Sequence, residues 1–247
     1  IARRGAIPDM SALYNGEHDA FDRAIGSALQ ECDGSIIEWL RDPTQTNEVG
    51  RSAALMAALM VAADRFGLPF ELNELGTSCG LNLNLGRYSF DLGGTAVGDA
   101  GSVLHIAPQW RGHQPQAAPV SIRSASGVDR HPLDAHNPDS CERLLAFIWA
   151  DQHNRTRRLE RALEIAREHP PRIDQGEAID WIAAKLAAPQ TPGVCRVVFH
   201  SMFRQYLPAP EQAKLCDLIA EAGARATLRQ PLAWVSLEWT PNRKEVQ

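Results

Sequence analysis

Phe70-Glu71-Leu72-Asn73-Glu74-Leu75-Gly76-Thr77-Ser78-Cys79-Gly80-Leu81-Asn82 decides the reading of this chain. Its first six residues alternate like a β-strand, and a glycine turn follows at once. Glycines at 76 and 80 let a backbone turn sharply and approach a ligand with no Cβ in the way. In an open α/β sheet, ligands bind beyond the carboxyl ends of the strands, where such a turn lies. The turn lacks the full G-x-G-x-x-G of a dinucleotide site, since Ser78 stands where its second glycine would be. It also lacks the Lys-Ser/Thr of a P-loop. A plain strand-to-helix turn with no ligand is the alternative.

Upstream, Asp19–Leu40 carries Phe21, Ile25, Leu29, Ile36, Ile37 and Leu40 at helical spacing, with a break near Asp33-Gly34. Asp42 to Asn47 reads as a turn, and Glu48–Phe66, rich in Ala, Leu and Met, as a buried helix. Downstream, Leu81–Leu85 is a short helical or turn piece. Residues 87–118 form an insertion, with strands at Tyr88–Leu92 and Val103–Ala107 expected to pair as a hairpin. Val120–Arg123 reads as a strand and Ser124–Pro138 as irregular. Helices are expected at Ser140–Ile148, Thr156–His169, Glu177–Ala187 and Ala209–Ala222. Strands are expected at Arg172–Asp174, Val194–Phe199, Ala224–Arg229 and Leu232–Trp239. From Phe70 onward, strand and helix alternate, which predicts a mostly parallel sheet covered on both faces.

The totals set outer limits. The 247 residues suffice for one large domain, and the net charge of −5 argues against a general nucleic-acid binder. Five cysteines with no C-x-x-C pair point to reduced thiols and a cytoplasmic protein rather than a disulfide framework. The longest apolar run, Ala53–Ala63, is too short to span a bilayer. No membrane partner is expected, and the oligomeric state is left open. His131, Asp134 and His136 match no standard metal spacing. The run Arg155 to Arg161 reads as a solvated basic helix face.

Gly76-x-Ser78-x-Gly80 also spells the nucleophile elbow of α/β-hydrolases, with His200 as a conceivable base. That reading conflicts with the position of the turn after the first strand, since several strands precede the elbow in that fold.

Glu71–Leu83 resembles the first motif of S-adenosylmethionine-dependent methyltransferases. Gly176-Glu177-Ala178 resembles the segment after their third strand that lies near adenine, and Asp129 stands beyond the second strand, where their ribose-binding acid lies. More closely, the chain resembles a bacterial family of unknown function with a methyltransferase-like fold. The resembling pieces are Thr46-Asn47-Glu48-Val49-Gly50-Arg51, Glu74-Leu75-Gly76 through Asn82, Pro132-Leu133-Asp134, Trp149-x-Asp151-Gln152, His200-Ser201 with Gln205-Tyr206-Leu207, and Pro231 to Trp234. The resemblance runs from about residue 43 to 238. It implies an α/β, Rossmann-like, methyltransferase-type three-layer sandwich over 43–247, preceded by a helical segment over 1–42.

On this reading Glu74, Gly76, Ser78, Gly80 and Asn82 shape a site for S-adenosylmethionine, and Asp129 and Glu177 hold its ribose and adenine. His200, after an apolar strand, is the candidate base, or else a cap on the next turn. Asn47, Glu48, Arg51, Ser201 and Tyr206 are placed toward a small-molecule substrate. Asn47 and Glu48 equally suit a helix start and its acidic first turn. A protein that kept the fold and a ligand but no transfer chemistry is the second expectation, and a serine hydrolase using Ser78 the third.

Overall fold

The computed structural model describes residues 2–41, 44–240, 244 and 246. The first two residues of the turn expected at Asp42 to Asn47, and with them the 42/43 boundary, lie outside them. Two helices open the chain, α1 (Pro8–Tyr14) and α2 (Phe21–Leu40), the second kinked at Cys32 (φ −125°, ψ 18°). A single 3₁₀ turn, Val49–Arg51, then leads into α3 (Ser52–Phe66).

The main sheet is wholly parallel. Its strands are β1 (Phe70–Leu75), β5 (Ile122–Asp129), β6 (Arg172–Gln175), β7 (Cys195–Ser201) and β8 (Leu232–Leu237), in the order β6-β5-β1-β7-β8. The chain builds outward from β1 in one direction, then returns to β1 and builds in the other. The order therefore reverses between β1 and β7, where open α/β sheets leave a crevice at their carboxyl edge.

The two faces carry separate cores. Val197 and Phe199 point into the larger one, with α3, α4 (Pro138–Ala146) and α5 (His153–Glu168). Val198 points into the other, with Leu75, Val128, α6 (Ala178–Ala187) and α7 (Ala209–Ala224). This period of two on a strand buried on both faces is what the run Val194–Phe199 predicts. Helix α4 starts where Asn137 Oδ1 accepts from the Asp139 and Ser140 amides (2.8 and 3.2 Å) with Pro138 in the first turn.

Three expectations need correction. The second strand is β5 at Ile122–Asp129, so the first six residues of the supposedly irregular Ser124–Pro138 are strand. Small residues mask it: Gly127 is required because the Thr77 side chain lies over it. In the insertion, β2 (Ser89–Asp91) forms its hairpin with β3 (Ala96–Gly98), while β4 (His105–Ile106) joins β2 in parallel on the other side. Ala224–Arg229 forms no strand beyond a bridge between Thr227 and Gln230. The helix α2 has the helical spacing expected, and its apolar stripe faces outward: Ala24 and Ala28 are buried, whereas Phe21, Ile25 and Leu29 are exposed.

Among the described residues, no helix is long and apolar enough to cross a membrane.

Candidate functional site

At the carboxyl edge of the sheet, beneath the point of order reversal, lies a cleft of about 470 Å³. The ends of β1, β5 and β7 form its floor, the start of α6 one wall, and the segment Thr44–Asn47 crosses it as a strap. Among the described residues, three non-glycine residues have positive φ: Asn47 (31°), Ser78 (54°) and Met202 (52°). All three line this cleft. Left-handed backbone is unfavourable for side chains with a Cβ, and its concentration at one place marks a site whose shape is held against a cost.

The turn after β1 is tied down by its own amides. Gly76 N and Thr77 N donate to Val128 O (3.0 and 3.1 Å), Ser78 N to Asp129 Oδ2 (2.7 Å), and Gly80 N to Thr77 O (2.8 Å). These four amides are therefore spent inside the protein and do not form an anion cradle. The glycines serve packing: a Cβ on Gly76 would run into the Phe203 ring, and one on Gly80 into Pro171 and Ile173. A 3₁₀ piece, Leu81–Arg87, follows in place of an α-helix. No helix N-terminus thus points at the cleft from this turn, and a pyrophosphate has no ready seat there.

Glu74, at the end of β1, is buried beneath the turn. Thr77 Oγ1 donates to its Oε2, and Asn82 Nδ2 to its Oε1 (3.2 Å). Burial raises its pKa to about 8, so the carboxyl is mostly protonated at neutral pH. Asn47 Nδ2 donates to Thr77 O (2.8 Å), which pins the strap to the turn.

Asp129, at the end of β5, accepts from Ser78 N and, through Oδ1, from His131 N (2.9 Å). Gln45 reaches Asp129 Oδ1 at 3.4 Å and His131 O at 3.0 Å, and it accepts from the Ser78 hydroxyl at 3.2 Å. A carboxylate has about four acceptor positions, so Asp129 retains capacity for a ligand. Glu177, just past β6, lines the opposite wall and pairs with Arg130 at 2.6 Å.

Arg51 projects into the cleft, where its Nη1 donates to Ser201 O at 3.4 Å. Glu48, four residues before the start of α3, does not line the cleft as expected. Its carboxylate caps Gly50 N (2.9 Å) and pairs with Arg155 and Arg158 of α5 (2.5 and 3.1 Å). Burial opposes that charge, but the Gly50 amide and the two guanidinium groups outweigh it and hold the pKa below the usual range. The basic run on α5 is thus only partly a solvated face.

His200 is not placed to act as a base. It is fully buried, its Nδ1 lies 2.6 Å from Glu238 Oε1, and Trp234 Nε1 donates to its Nε2 at 3.0 Å. An Nε2 that accepts makes this the Nδ1–H tautomer, and both nitrogens are occupied. The capping alternative was nearer, although the cap is indirect. Glu238 Oε1 also accepts from Phe203 N (3.0 Å) and Arg204 N (3.1 Å), so the pair fastens the loop that carries Phe203, Gln205 and Tyr206 into the cleft. The neighbouring Ser201 and Tyr206 do line the cleft. A nucleophilic serine needs a base against its hydroxyl, and the base expected for Ser78 is His200. Ser78 Oγ faces Gln45 instead, so nothing here carries the hydrolase reading.

A family model described as an uncharacterized protein conserved in bacteria matches residues 1–247. The chain belongs to that family, DUF2332. No curated protein and no solved structure matches it.

In this DUF2332 chain the cleft gathers most of the residues expected from sequence: Asn47, Arg51, Glu74, Gly76, Ser78, Asn82, Asp129, Glu177, Ser201 and Tyr206. Glu48, Gly80 and His200 fall outside it. Sequence reading missed Gln45, Thr77, Met202, Phe203 and Trp239. Thr77 lay inside the turn and Gln45 beside the strap motif; both are uncharged residues whose role depends on partners distant in sequence. Among the described residues, no three His, Cys, Asp or Glu side chains cluster as metal ligands.

Proposed function

We propose that this DUF2332 protein is an S-adenosylmethionine-dependent methyltransferase acting on a small molecule. One observation carries the reading. Three successive strands, β1, β5 and β6, each deliver a carboxyl group, those of Glu74, Asp129 and Glu177, to one cleft at the reversal of strand order.

The residues present fit the nucleoside portion of such a cofactor. Asp129 retains acceptor capacity for ribose hydroxyls, and the exposed Glu177 side chain borders the same wall. Spent loop amides and the absent helix suit a ligand without phosphate better than a dinucleotide. When bound, the cofactor supplies an electrophilic methyl group on a sulfonium. The protein's own part is alignment of donor and acceptor and exclusion of water. The Gln45–Asn47 strap and the loop fastened by His200 and Glu238 are the elements that hold that alignment. Neutral Glu74 serves as a buried hydrogen-bonding anchor beneath the turn.

A second reading, ligand binding without transfer, is favoured by one contact: Phe203 covers the face of Gly76 that the motif would leave open. Titration calorimetry with S-adenosylmethionine and S-adenosylhomocysteine decides the first step. Micromolar binding that weakens at least about tenfold in Asp129→Ala supports the cofactor site. No heat from the folded wild-type protein sinks it. Binding without product on any acceptor in a broad small-molecule panel leaves the second reading.

A further inference from the structure

We infer that the β7–β8 half of the cleft takes a planar aromatic carboxylate as the second ligand. The inference rests on the cofactor reading only for the division of the cleft, which assigns the β5–β6 half to a nucleoside.

Two independent observations point there. The first is charge. Arg51 is half-buried, yet among the described residues no carboxylate lies within 4.0 Å of its guanidinium. Glu48, the nearest acid in sequence, is committed to Arg155 and Arg158. Arg51 Nη1 makes one long bond to Ser201 O, which leaves most of a five-donor fork turned to the cleft. Burial lowers the pKa of this group, and the charges of Glu48 and Glu238, neither in direct contact with it, only partly oppose that, so a desolvation cost remains that an anionic ligand would offset. Neutral Glu74 does not meet that need. A planar fork with two parallel donors suits a carboxylate. A phosphate dianion would want further cations or free amides, and the amides of the turn are spent.

The second observation is the company Arg51 keeps. Tyr206 is 70% exposed and Trp239 is 43% exposed; both line the same cleft as Arg51, as does Phe203. Large rings left open to water beside a guanidinium make a stacking surface for a flat, apolar ring. Together they specify a ligand with an aromatic body and a carboxylate end.

The test uses the whole chain and calorimetry with 4-hydroxybenzoate, benzoate and indole-3-acetate. The controls are 4-hydroxybenzamide, which lacks the charge, and cyclohexanecarboxylate, which lacks the flat ring. At least one aromatic carboxylate binds, and both controls bind more weakly. Arg51→Gln loses roughly tenfold or more, as expected for a charged hydrogen-bonded contact. Tyr206→Ala, a change at an exposed side chain that leaves the fold intact, loses affinity for aromatic acids while leaving cyclohexanecarboxylate unaffected.

The inference is overturned if no aromatic acid binds the folded protein, if either control binds equally well, or if both variants bind as wild type. Displacement of the acid by S-adenosylhomocysteine in a competitive manner also overturns it, since Arg51 would then hold the cofactor's own carboxylate. Aromatic-acid binding with no response to S-adenosylhomocysteine leaves the inference standing and defeats the cofactor reading alone.

Discussion

The Phe203 side chain packs directly on Gly76, so the bare face of the turn after β1 is taken by a residue more than one hundred positions away. Gly76 sits at φ 68°, where a Cβ is costly in its own right. The contact joins the first strand's turn to the loop after β7 across the point of order reversal.

Gly76→Ala therefore loses stability twice. Left-handed backbone costs about 1–2 kcal/mol for a residue with a Cβ, and the collision with Phe203 adds to it. In urea unfolding, Phe203→Leu in the Gly76→Ala background recovers part of the loss. Strict additivity of the two changes would show that the ring and the glycine do not interact.

Glu74 makes stability depend on pH in an unusual direction. Its folded pKa, about 8, lies above that of an exposed glutamate, so the native state binds more protons across the interval between them. The contribution is fully present below the unfolded pKa near 4.5 and is lost as pH rises through 8. Glu74→Gln keeps an acceptor for Asn82 and a polar partner for Thr77 without that ionisation. The variant melts well above wild type at pH 9, by roughly 10 °C, and level with it near pH 5. Parallel melting curves across the whole range would contradict a buried, protonated Glu74.

Glu238 works with the opposite sign. Burial tends to raise its pKa, but His200 and the Arg204 and Phe203 amides outweigh burial and hold it below the usual value. Its contribution is present above pH 4.5 and is lost as pH falls through the lower folded value. Glu238→Ala strips three donors of their acceptor and costs about 1–3 kcal/mol. Hydrogen exchange localises the effect: the Phe203 and Arg204 amides gain exchange, while β5 amides do not. Exchange that rises evenly through the sheet would argue against a local fastening.

Asp129 bonds to Ser78 N and His131 N in the free protein, which gives a discriminating pair of variants. Asp129→Asn keeps one acceptor oxygen but cannot serve both amides as a carboxylate does. It destabilises the protein by about 1 kcal/mol and weakens S-adenosylhomocysteine binding less than Asp129→Ala. Equal binding by all three proteins would remove Asp129 from the ligand's contacts.

The strands that sequence reveals well are those whose side chains alone carry the signal. β1 coincides with Phe70–Leu75 and β7 lies within two residues of the apolar run Val194–Phe199. β5 was hidden because Ser124, Ala125, Ser126 and Gly127 are small, Gly127 for the sake of the Thr77 side chain that packs on it, and loops use the same residues. The orientation of His200 was hidden for a different reason: its partners, Glu238 and Trp234, stand on or just after β8, and a lone histidine after a strand carries no mark of them. In α2 the helical spacing is real, but it does not say which face is buried: Ala24 and Ala28, not Phe21 and Ile25, face inward. The turn Gly76–Gly80 was legible as a turn, whereas the spending of its amides on Val128 and Asp129 depended on the unseen strand.

The central position of β1 has a consequence for the chain while it is being made. Its two hydrogen-bonding neighbours begin at Ile122 and Cys195, so a ribosome-bound chain displays the almost wholly buried segment Phe70–Leu75 with neither edge satisfied until far more of the protein has emerged. Any truncation before Cys195 leaves that strand open on one side and sticky. Biosynthesis of this protein thus includes a period of exposure that ends only when the β7 stretch Cys195–Ser201 has been read.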